Sequence, residues 1–389
     1  MVEAVVSARG AGRWQRGHPW IFRSDVVQRP PTDAPAGVVR VRDQQQRALG
    51  VALWSPASEI SLRMLDRDAN AVIDAGWWRA RIGEATERRR DVAPVATAYR
   101  LVHGEADGCP SLVCDRYGEY LVVQLLSAGL DACRADIVEA LADVAKPSGI
   151  LARNDVAVRT REKLPAVVEL LAGDVPQEVE FAEHGVRMLA APWTGQKTGA
   201  FLDQRENRAL VGRVARGRAL DCFSYHGSFA LHLAARAEHV IALDASAEAL
   251  ARGAENARLN QRGNIEFVEG DTFDFLRAQH AARLRFDTIV LDPPAFAKSR
   301  GALSAAVRGY KDINLRAMRL LTPGGLLFTA SCSFHLSKAL FLDMLHAAAA
   351  DSGRRIAIRE LTGQPADHPE VLTIPETGYL KGALLQALD

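Results

Sequence analysis

The sequence predicts an α/β protein: a doubly wound, mostly parallel sheet in the C-terminal half, preceded by a β-rich segment and an α+β middle. Three observations predict it. From about residue 186, short and almost continuously apolar runs alternate with helical stretches, the pattern of a parallel sheet covered on both faces. Residues 1–70 carry short β-rich runs with short gaps between them. A chain of 389 residues exceeds one ordinary domain. The expected boundaries are 1–70, 71–185 and 186–389.

The elements follow in chain order. GVVRVRD (37–43), RALGVALW (47–54) and EISLRML (59–65) alternate in places and fit an antiparallel meander or small barrel. Ahead of them, residues 12–26 interleave Arg with aromatics. The stretch 66–76 breaks the pattern, and WWRARIGEATERRR (77–90) reads as a helix with a basic side. Residues 100–127 read as strands turning at Asp107-Gly108 and Tyr117-Gly118. Asp131 to Val144 reads as helix and 150–158 as strand, giving an α+β unit. The stretch 173–185 reads as a linker, with strand propensity at Glu178–Phe181 against that boundary. Beyond it, strands are expected at 219–224, 239–244, 265–270, 286–292 and 326–333, each followed by a helix. Ser246 suits the cap of one of these helices. RIAIREL (355–361) and ALLQAL (383–388) close the sheet as a hairpin.

Composition excludes several classes. With 48% hydrophobic and 24% charged residues the chain is globular rather than disordered. A formal charge of +1 excludes a strongly basic tail binder but not a local basic face. Arg far outnumbers Lys, which G- and C-rich codons explain as readily as phosphate recognition does. Residues 1–100 hold 16 Arg against 11 acids, a tilt toward a nucleic-acid surface. Five irregularly spaced Cys make no disulfide framework, so a reducing, cytoplasmic setting is expected. Cys109 and Cys114, with His103 nearby, lack the paired spacing of a zinc site, and no metal is expected. The first residues carry Arg but no signal-peptide core, and no run reaches the ~20 apolar residues of a membrane helix.

A doubly wound sheet binds its ligand beyond the carboxyl ends of its strands. After the first strand comes Asp221-Cys-Phe-Ser-Tyr-His-Gly227, with one glycine and no G-x-G-x-x-G. The loop suits a nucleoside ligand without phosphate, such as S-adenosylmethionine. Asp244 ends the second strand, where a carboxylate accepts ribose hydroxyls, and Gly270-Asp271 ends the third, near an adenine amino group. Alone, each acid reads as a surface residue or cap; three at consecutive strand ends favour a nucleoside site. Asp292-Pro-Pro-Ala-Phe follows the fourth strand, a stiff arch able to present Asp292 to a planar substrate. Cys332 follows the fifth. Taken alone it is a small buried hydrophobe; across the cleft from Asp292 it becomes a nucleophile for carbon 6 of a pyrimidine, which makes carbon 5 reactive. His226, His335, Lys298 and Lys311 lie in neighbouring loops or just beyond the arch.

These residues resemble the bacterial ribosomal RNA large subunit methyltransferase I family nearly end to end. The likeness rests on HPWIF (18–22), SPAS (55–58), DVAVR (155–159), KTGAFLDQR (197–205), CFSYHGSFA (222–230), LDPPAF (291–296), RGYKDIN (308–314), SCS (331–333), ADHP (366–369) and YLKG (379–382). It implies an N-terminal PUA domain over 1–70 that binds RNA, a central α+β domain, and a Rossmann-like class I methyltransferase domain with a mostly parallel seven-stranded sheet. It also implies transfer of a methyl group from S-adenosylmethionine to carbon 5 of a cytosine in 23S ribosomal RNA, releasing S-adenosylhomocysteine. Cys332 would be the nucleophile, with Asp292 at the reacting base. Phe201, Asp203, Gln204 and Arg205 would cover the cofactor. Asp221, Phe223, Ser224, Gly227, Asp244, Ala245, Asp271, Thr272 and Asp292 would line its site, and Arg9, Arg13, Trp20, Lys298 and Lys311 would contact RNA. The partner is 23S ribosomal RNA or the assembling large subunit, with no membrane; a homodimer is left open. Two positions depart from the family pattern, His226 in the cofactor loop and Ala295 in the arch. The arch also has no second Cys, so the base that removes the C5 proton is not identified. The competing readings are a guanine-N methyltransferase on the same scaffold, a non-catalytic RNA-binding assembly protein, and a nicotinamide oxidoreductase, the last disfavoured by the missing glycine fingerprint.

Overall fold

The protein is described by a computed structural model covering residues 2–297 and 299–389. These form two compact units. One holds the residues up to Phe181 together with Ala190–Leu202 and Ala366–Gly378; the other holds Ala182–Leu189, Asp203–Pro365 and Tyr379–Asp389.

The first unit begins with a six-stranded sheet. Its Gly37–Asp43, Ala48–Trp54 and Leu62–Asp66 strands form the expected antiparallel meander, and Glu3–Val6 pairs parallel to Gly37–Asp43. A helix at Ala8–Gln15, unmarked by any apolar period, is started by the Ser7 hydroxyl, which accepts the Gly10 N–H. The second sheet has five strands, flanked by helices at Ala75–Glu87 and Arg134–Ala145. One core joins both parts: Val51, Leu53 and Leu65 of the meander pack with Trp78, Ile82 and Leu141.

Two expectations in this stretch need correction. The strand expected over 150–158 stops at Arg153. There the Asn154 side chain accepts the Leu125 N–H, and Ala157–Arg161 turns into a short helix. The linker expected over 173–185 contains the strand Val179–Glu183, which pairs with Val186–Ala190 across a turn at His184 and Gly185, both at positive φ. Val179, Phe181 and Glu183 point inward, in line with the strand propensity at Glu178–Phe181. The boundary drawn after residue 185 therefore falls inside a paired two-strand element.

The distant segments of the first unit are tied down by buried polar groups. Arg89 forms a two-pronged pair with Asp107 and also donates to the Asp367 carbonyl at 2.8 Å, while the Asp367 carboxylate accepts the Arg100 N–H. Thr198 donates to Asp115 at 2.6 Å, and Tyr117 receives the Ala200 N–H.

The second unit is a seven-stranded sheet. Its strands are β1 (Arg218–Cys222), β2 (His239–Asp244), β3 (Ile265–Glu269), β4 (Phe286–Leu291), β5 (Leu321–Ser331), β6 (Ile356–Thr362) and β7 (Lys381–Ala387), ordered β3-β2-β1-β4-β5-β7-β6. The first five are parallel; β7 runs antiparallel to both β5 and β6. The closing pair is joined by a long excursion rather than a tight turn, because Ala366–Gly378 belongs to the first unit. Helices α1 (Arg205–Val214), α2 (Ser228–Leu233), α3 (Ala247–Leu259), α4 (Thr272–Ala281), α5 (Leu303–Leu320) and α6 (Lys338–Ser352) accompany the strands. Successive strand residues feed opposite cores. Ile289 and Leu291 of β4 pack with Tyr310, Ile313 and Phe341 on one face, and Val290 packs with Phe229, Val240 and Phe328 on the other. Both faces are therefore apolar, which is why these strands read as unbroken hydrophobic runs. Buried Glu183 anchors α1 and α2 by accepting from Arg208 and pairing with His232. Burial alone would raise its carboxyl, but the Arg208 guanidinium holds it at about 2.

Candidate active site

Strand order reverses between β1 and β4, the switch point at which a doubly wound sheet leaves a crevice. Five strand ends lie around it, and they divide into two chemical sides.

The β1–β3 side is acidic. Asp221 is buried at the end of β1; one carboxylate oxygen accepts the Ala230 N–H of α2 at 2.9 Å, and the other has no hydrogen-bond partner. Burial holds its carboxyl well above the usual carboxylate range, and the nearby Asp292 and Asp244 charges push the same way. The loop that follows turns sharply through positive φ at Phe223 (61°), Tyr225 (49°) and Gly227 (72°). Two non-glycine residues in that region store strain on the order of 1–3 kcal/mol each. The Ser224 hydroxyl in this loop is buried and has no partner either. Asp244 grips the loop from β2, accepting the Tyr225 N–H at 2.8 Å with one oxygen and the Ser246 N–H at 2.9 Å with the other. The next residue, Ala245, is exposed. Asp271 caps α4 by accepting the Asp274 N–H, and Thr272 is buried behind it. His226 stacks on Tyr225 with ring centres 3.6 Å apart; burial and the Arg252 charge push its imidazole down to about 4, so it is neutral at physiological pH.

Burying like charges beside an unpartnered carboxylate oxygen is costly unless a ligand answers them. A cationic ligand with hydroxyl donors does so. S-adenosylmethionine carries a sulfonium, an ammonium and a ribose diol, so the residues present fit it. Asp221, Asp244 and the Phe223–Gly227 loop would hold it.

The β4–β5 side is aromatic and carries a thiol. Asp292 leaves the end of β4 and accepts the Gln204 side-chain amide at 2.7 Å; Gln204 is steadied in turn by Asn207 at 2.6 Å. The Pro293-Pro294 arch is pinned from behind. The Phe296 N–H donates to the Tyr310 hydroxyl, the Ala297 N–H donates to the Ser333 hydroxyl, and those two hydroxyls are 2.9 Å apart. Leu291 of β4 pairs with Thr329 of β5, so Cys332 lies just past the strand end that neighbours Asp292. Its side chain is half-buried against the core containing Phe328 and Ala330. Ser331 of β5 stands opposite Lys381 of β7, whose ammonium donates to the Ser333 and Tyr379 carbonyls at 2.7 Å each.

The remaining expected residues are distributed as follows. Asp203 accepts the Tyr379 hydroxyl at 2.8 Å, and Arg205 is buried and bonded to Glu206. Phe201 belongs to the first unit, with the Lys197 ammonium 4.5 Å from its ring centre. In the N-terminal part Arg9 of the Ala8–Gln15 helix pairs with Asp25 at 2.6 Å, Arg13 sits over Phe22, and the Trp20 indole donates to Glu105. Lys311 pairs with Asp351 at 2.6 Å. Lys298 lies outside the described residues. Among those described, no group of His, Cys, Asp and Glu forms a metal cluster, and no helix is long and apolar enough to cross a membrane. Sequence reasoning passed over Tyr310, Ser333 and Lys381, although each lies within a quoted motif, RGYKDIN, SCS or YLKG. Their spacing in the chain gives no hint that Tyr310 and Lys381 both bond Ser333.

Comparison with known proteins fits this division. Residues 100–385 match the S-adenosylmethionine-dependent methyltransferase family, and residues 5–67 match a PUA-like domain. The chain is 40% identical over 379 residues to the ribosomal RNA large subunit methyltransferase I of Pseudoalteromonas atlantica, covering 96% of each protein. It is 40% identical over 375 residues to that of Salmonella typhi, covering 94% of this chain and 93% of the relative. A Streptococcus mutans structure described as a SAM-dependent methyltransferase superposes with a TM-score of 0.83 at 20% identity, over 99% of this chain and 100% of that one, a likeness of fold. The acidic strand ends, the arch and the two matched domains place the chain in one group: it belongs to the ribosomal RNA large subunit methyltransferase I family and is an S-adenosylmethionine-dependent methyltransferase.

Proposed function

We propose that the protein methylates carbon 5 of a cytosine in large-subunit ribosomal RNA through a covalent bond between Cys332 and carbon 6. The observation that carries this reading is the juxtaposition of a half-buried thiol at the end of β5 with Asp292 and a rigid Pro-Pro arch at the end of β4. The relatives' names supply the RNA class. S-adenosylmethionine, when bound, supplies an electrophilic methyl group. Asp221, Phe223, Ser224, Gly227, Asp244, Ala245, Asp271 and Thr272 form its site, with Gln204 and Arg205 as its cover.

Carbon 5 of cytosine is a weak nucleophile. The Cys332 thiolate adds to carbon 6 and turns carbon 5 into an enamine-like centre. Asp292, oriented by Gln204, hydrogen-bonds the N3 or amino edge of the ring. After methyl transfer the C5 proton is lost, the bond between sulfur and carbon 6 breaks, and the thiol is regenerated. The base must leave its stack to reach the arch, so an unpaired or terminal nucleotide is the expected target. Residues 1–70, with Arg9, Arg13 and Trp20, together with Lys298 and Lys311 beyond the arch, are assigned to RNA contact. Nucleoside mass spectrometry of large-subunit RNA methylated by the purified protein tests the reading. It should yield 5-methylcytosine; methylguanine instead would transfer the assignment to a guanine-N enzyme in which Cys332 only packs.

A further inference from the structure

Aromatic side chains are rarely left in water on this chain. Of its 13 Phe, 6 Tyr and 6 Trp residues, Phe334 is the one among the described residues that is exposed, at 55%; the others are buried or half-buried. We propose that Phe334 is a stacking platform for a nucleobase of the RNA substrate, the base beside the one that reacts, and so a substrate-binding residue. This rests on the reading of the crevice as an RNA-methylating site.

A single exposed apolar side chain is ordinary on a protein surface. Place and rigidity set this one apart. Phe334 lies two residues beyond Cys332, so no more than ~7 Å separates their Cα atoms. It occupies the second position of a tight turn, closed where the Leu336 N–H donates to the Ser333 carbonyl at 3.1 Å. Both ends of that turn are fixed. The Ser333 hydroxyl accepts the Ala297 N–H of the arch at 3.2 Å and sits 2.9 Å from the Tyr310 hydroxyl, while the Ser333 N–H donates to the Ser331 hydroxyl. Leu336 is 1% exposed, in the core with Phe341, and Ser337 caps α6 directly after it. The Phe334 ring meets His335 edge to face, with ring centres 5.6 Å apart.

Turns favour Gly, Asn, Asp, Ser and Pro for reasons of backbone geometry, and none of those reasons calls for Phe. Leu336, not Phe334, supplies the turn's share of the core. A flat apolar face held still at the end of β5 is what RNA needs at the moment of base extrusion. When the target nucleotide leaves its stack, the neighbouring base loses a stacking partner, and an aromatic ring replaces it. The target base itself must reach the half-buried thiol, deeper than a ring that stands in solvent, so the platform serves the neighbour. Every base has a π-face, so Phe334 holds the strand in place without reading its sequence.

Steady-state methylation of large-subunit RNA by the full-length protein tests this, with kcat and KM for RNA resolved. Phe334→Ala should raise KM for RNA roughly 5- to 150-fold, the worth of stacking one base, and leave S-adenosylmethionine affinity unchanged by calorimetry. Phe334→Leu, apolar but not flat, should match Ala, whereas Phe334→Tyr and Phe334→Trp should match the wild type. In filter binding the Ala variant should lose affinity by the same factor at every salt concentration, because no phosphate contact is removed. The added indole of Phe334→Trp gives a readout independent of activity. Its emission, taken as the difference from wild type, should be quenched by the RNA but not by inorganic polyphosphate, which has the charge without the bases. An oligonucleotide spanning the modified cytosine, made abasic at that cytosine, should quench as fully as the intact one. A wild-type KM in the Ala variant, full rescue by Leu, an indole quenched by polyphosphate or by neither polymer, or quenching lost with the abasic target would each overturn the proposal. Failure of the carbon-5 reading shows separately, as methylguanine in place of 5-methylcytosine, and failure of the RNA reading as no methylated nucleoside from the wild type.

Discussion

The two sides of the crevice differ in how their chemistry is assembled. On the β1–β3 side, each functional residue ends its own strand or begins the next loop: Asp221, Asp244 and Asp271 come one per βα unit. On the β4–β5 side, the thiol and arch depend on residues from elsewhere in the chain. Tyr310 comes from the middle of α5, Lys381 from the last strand, and Gln204 from the entry to α1. Local turns thus assemble the acidic strand ends, whereas the thiol and arch are held by partners recruited across the sheet.

The largest expected effect separates the two sides outright. Cys332→Ala should abolish methylation, a loss of at least about a thousandfold, and leave S-adenosylmethionine affinity nearly intact when measured by calorimetry. Loss of cofactor binding in that variant would mean the sides are not independent.

The converse change should be smaller. Asp244→Ala removes acceptors offered to the ribose and to the Tyr225 N–H. At ~1.5–3 kcal/mol for a hydrogen bond to a charged group, cofactor affinity should fall roughly 10- to 150-fold.

Much of the cofactor side was legible because strand register and strand-end residues are local. The apolar runs located all five parallel strands, and the residue after each run was already the residue at the crevice. What stayed hidden followed from long-range pairing. Lys381 pairs with Ser331 only because β7 inserts between β5 and β6, an order that no periodicity encodes. The helix at Ala8–Gln15 was missed because its glycines and arginines carry no apolar period. The Val179–Glu183 strand was half legible: strand propensity shows at Glu178–Phe181, but the surrounding acids resemble a solvated linker.

Asp221 supplies a pH test of the cofactor side. Its folded-state ionisation lies well above the usual carboxylate range because of burial and the Asp292 and Asp244 charges. The folded protein therefore holds a proton that the unfolded chain releases above pH ~4. This contribution to stability is fully present below that pH and is lost as pH rises through the folded value. A cationic cofactor favours the ionised form, so its affinity should weaken as pH falls through the same window, by up to about tenfold per unit. Asp221→Asn should flatten the dependence in both thermal denaturation and calorimetric titration. An undiminished slope would remove Asp221 from the cofactor site.

The smallest expected effect concerns RNA. Because the N-terminal meander shares a core with the helix at Ala75–Glu87, deleting it would expose Trp78 and Ile82, so point changes are the better probe. Arg9 is 67% exposed at its side chain and paired with Asp25. Arg9→Ala should lower the slope of log affinity against log salt by ~0.7–0.9 if it meets one phosphate. An unchanged slope in a filter-binding titration would exclude that contact.

The account's central claim is the covalent bond at Cys332, and a mechanism-based trap tests it most directly. Target RNA carrying 5-fluorocytosine at the modified position, incubated with the protein and S-adenosylmethionine, cannot lose fluorine as it would lose the C5 proton. A denaturation-resistant RNA–protein adduct should form, and peptide mapping should place it on Cys332. Full turnover without an adduct, or an adduct on any other residue, would contradict the account.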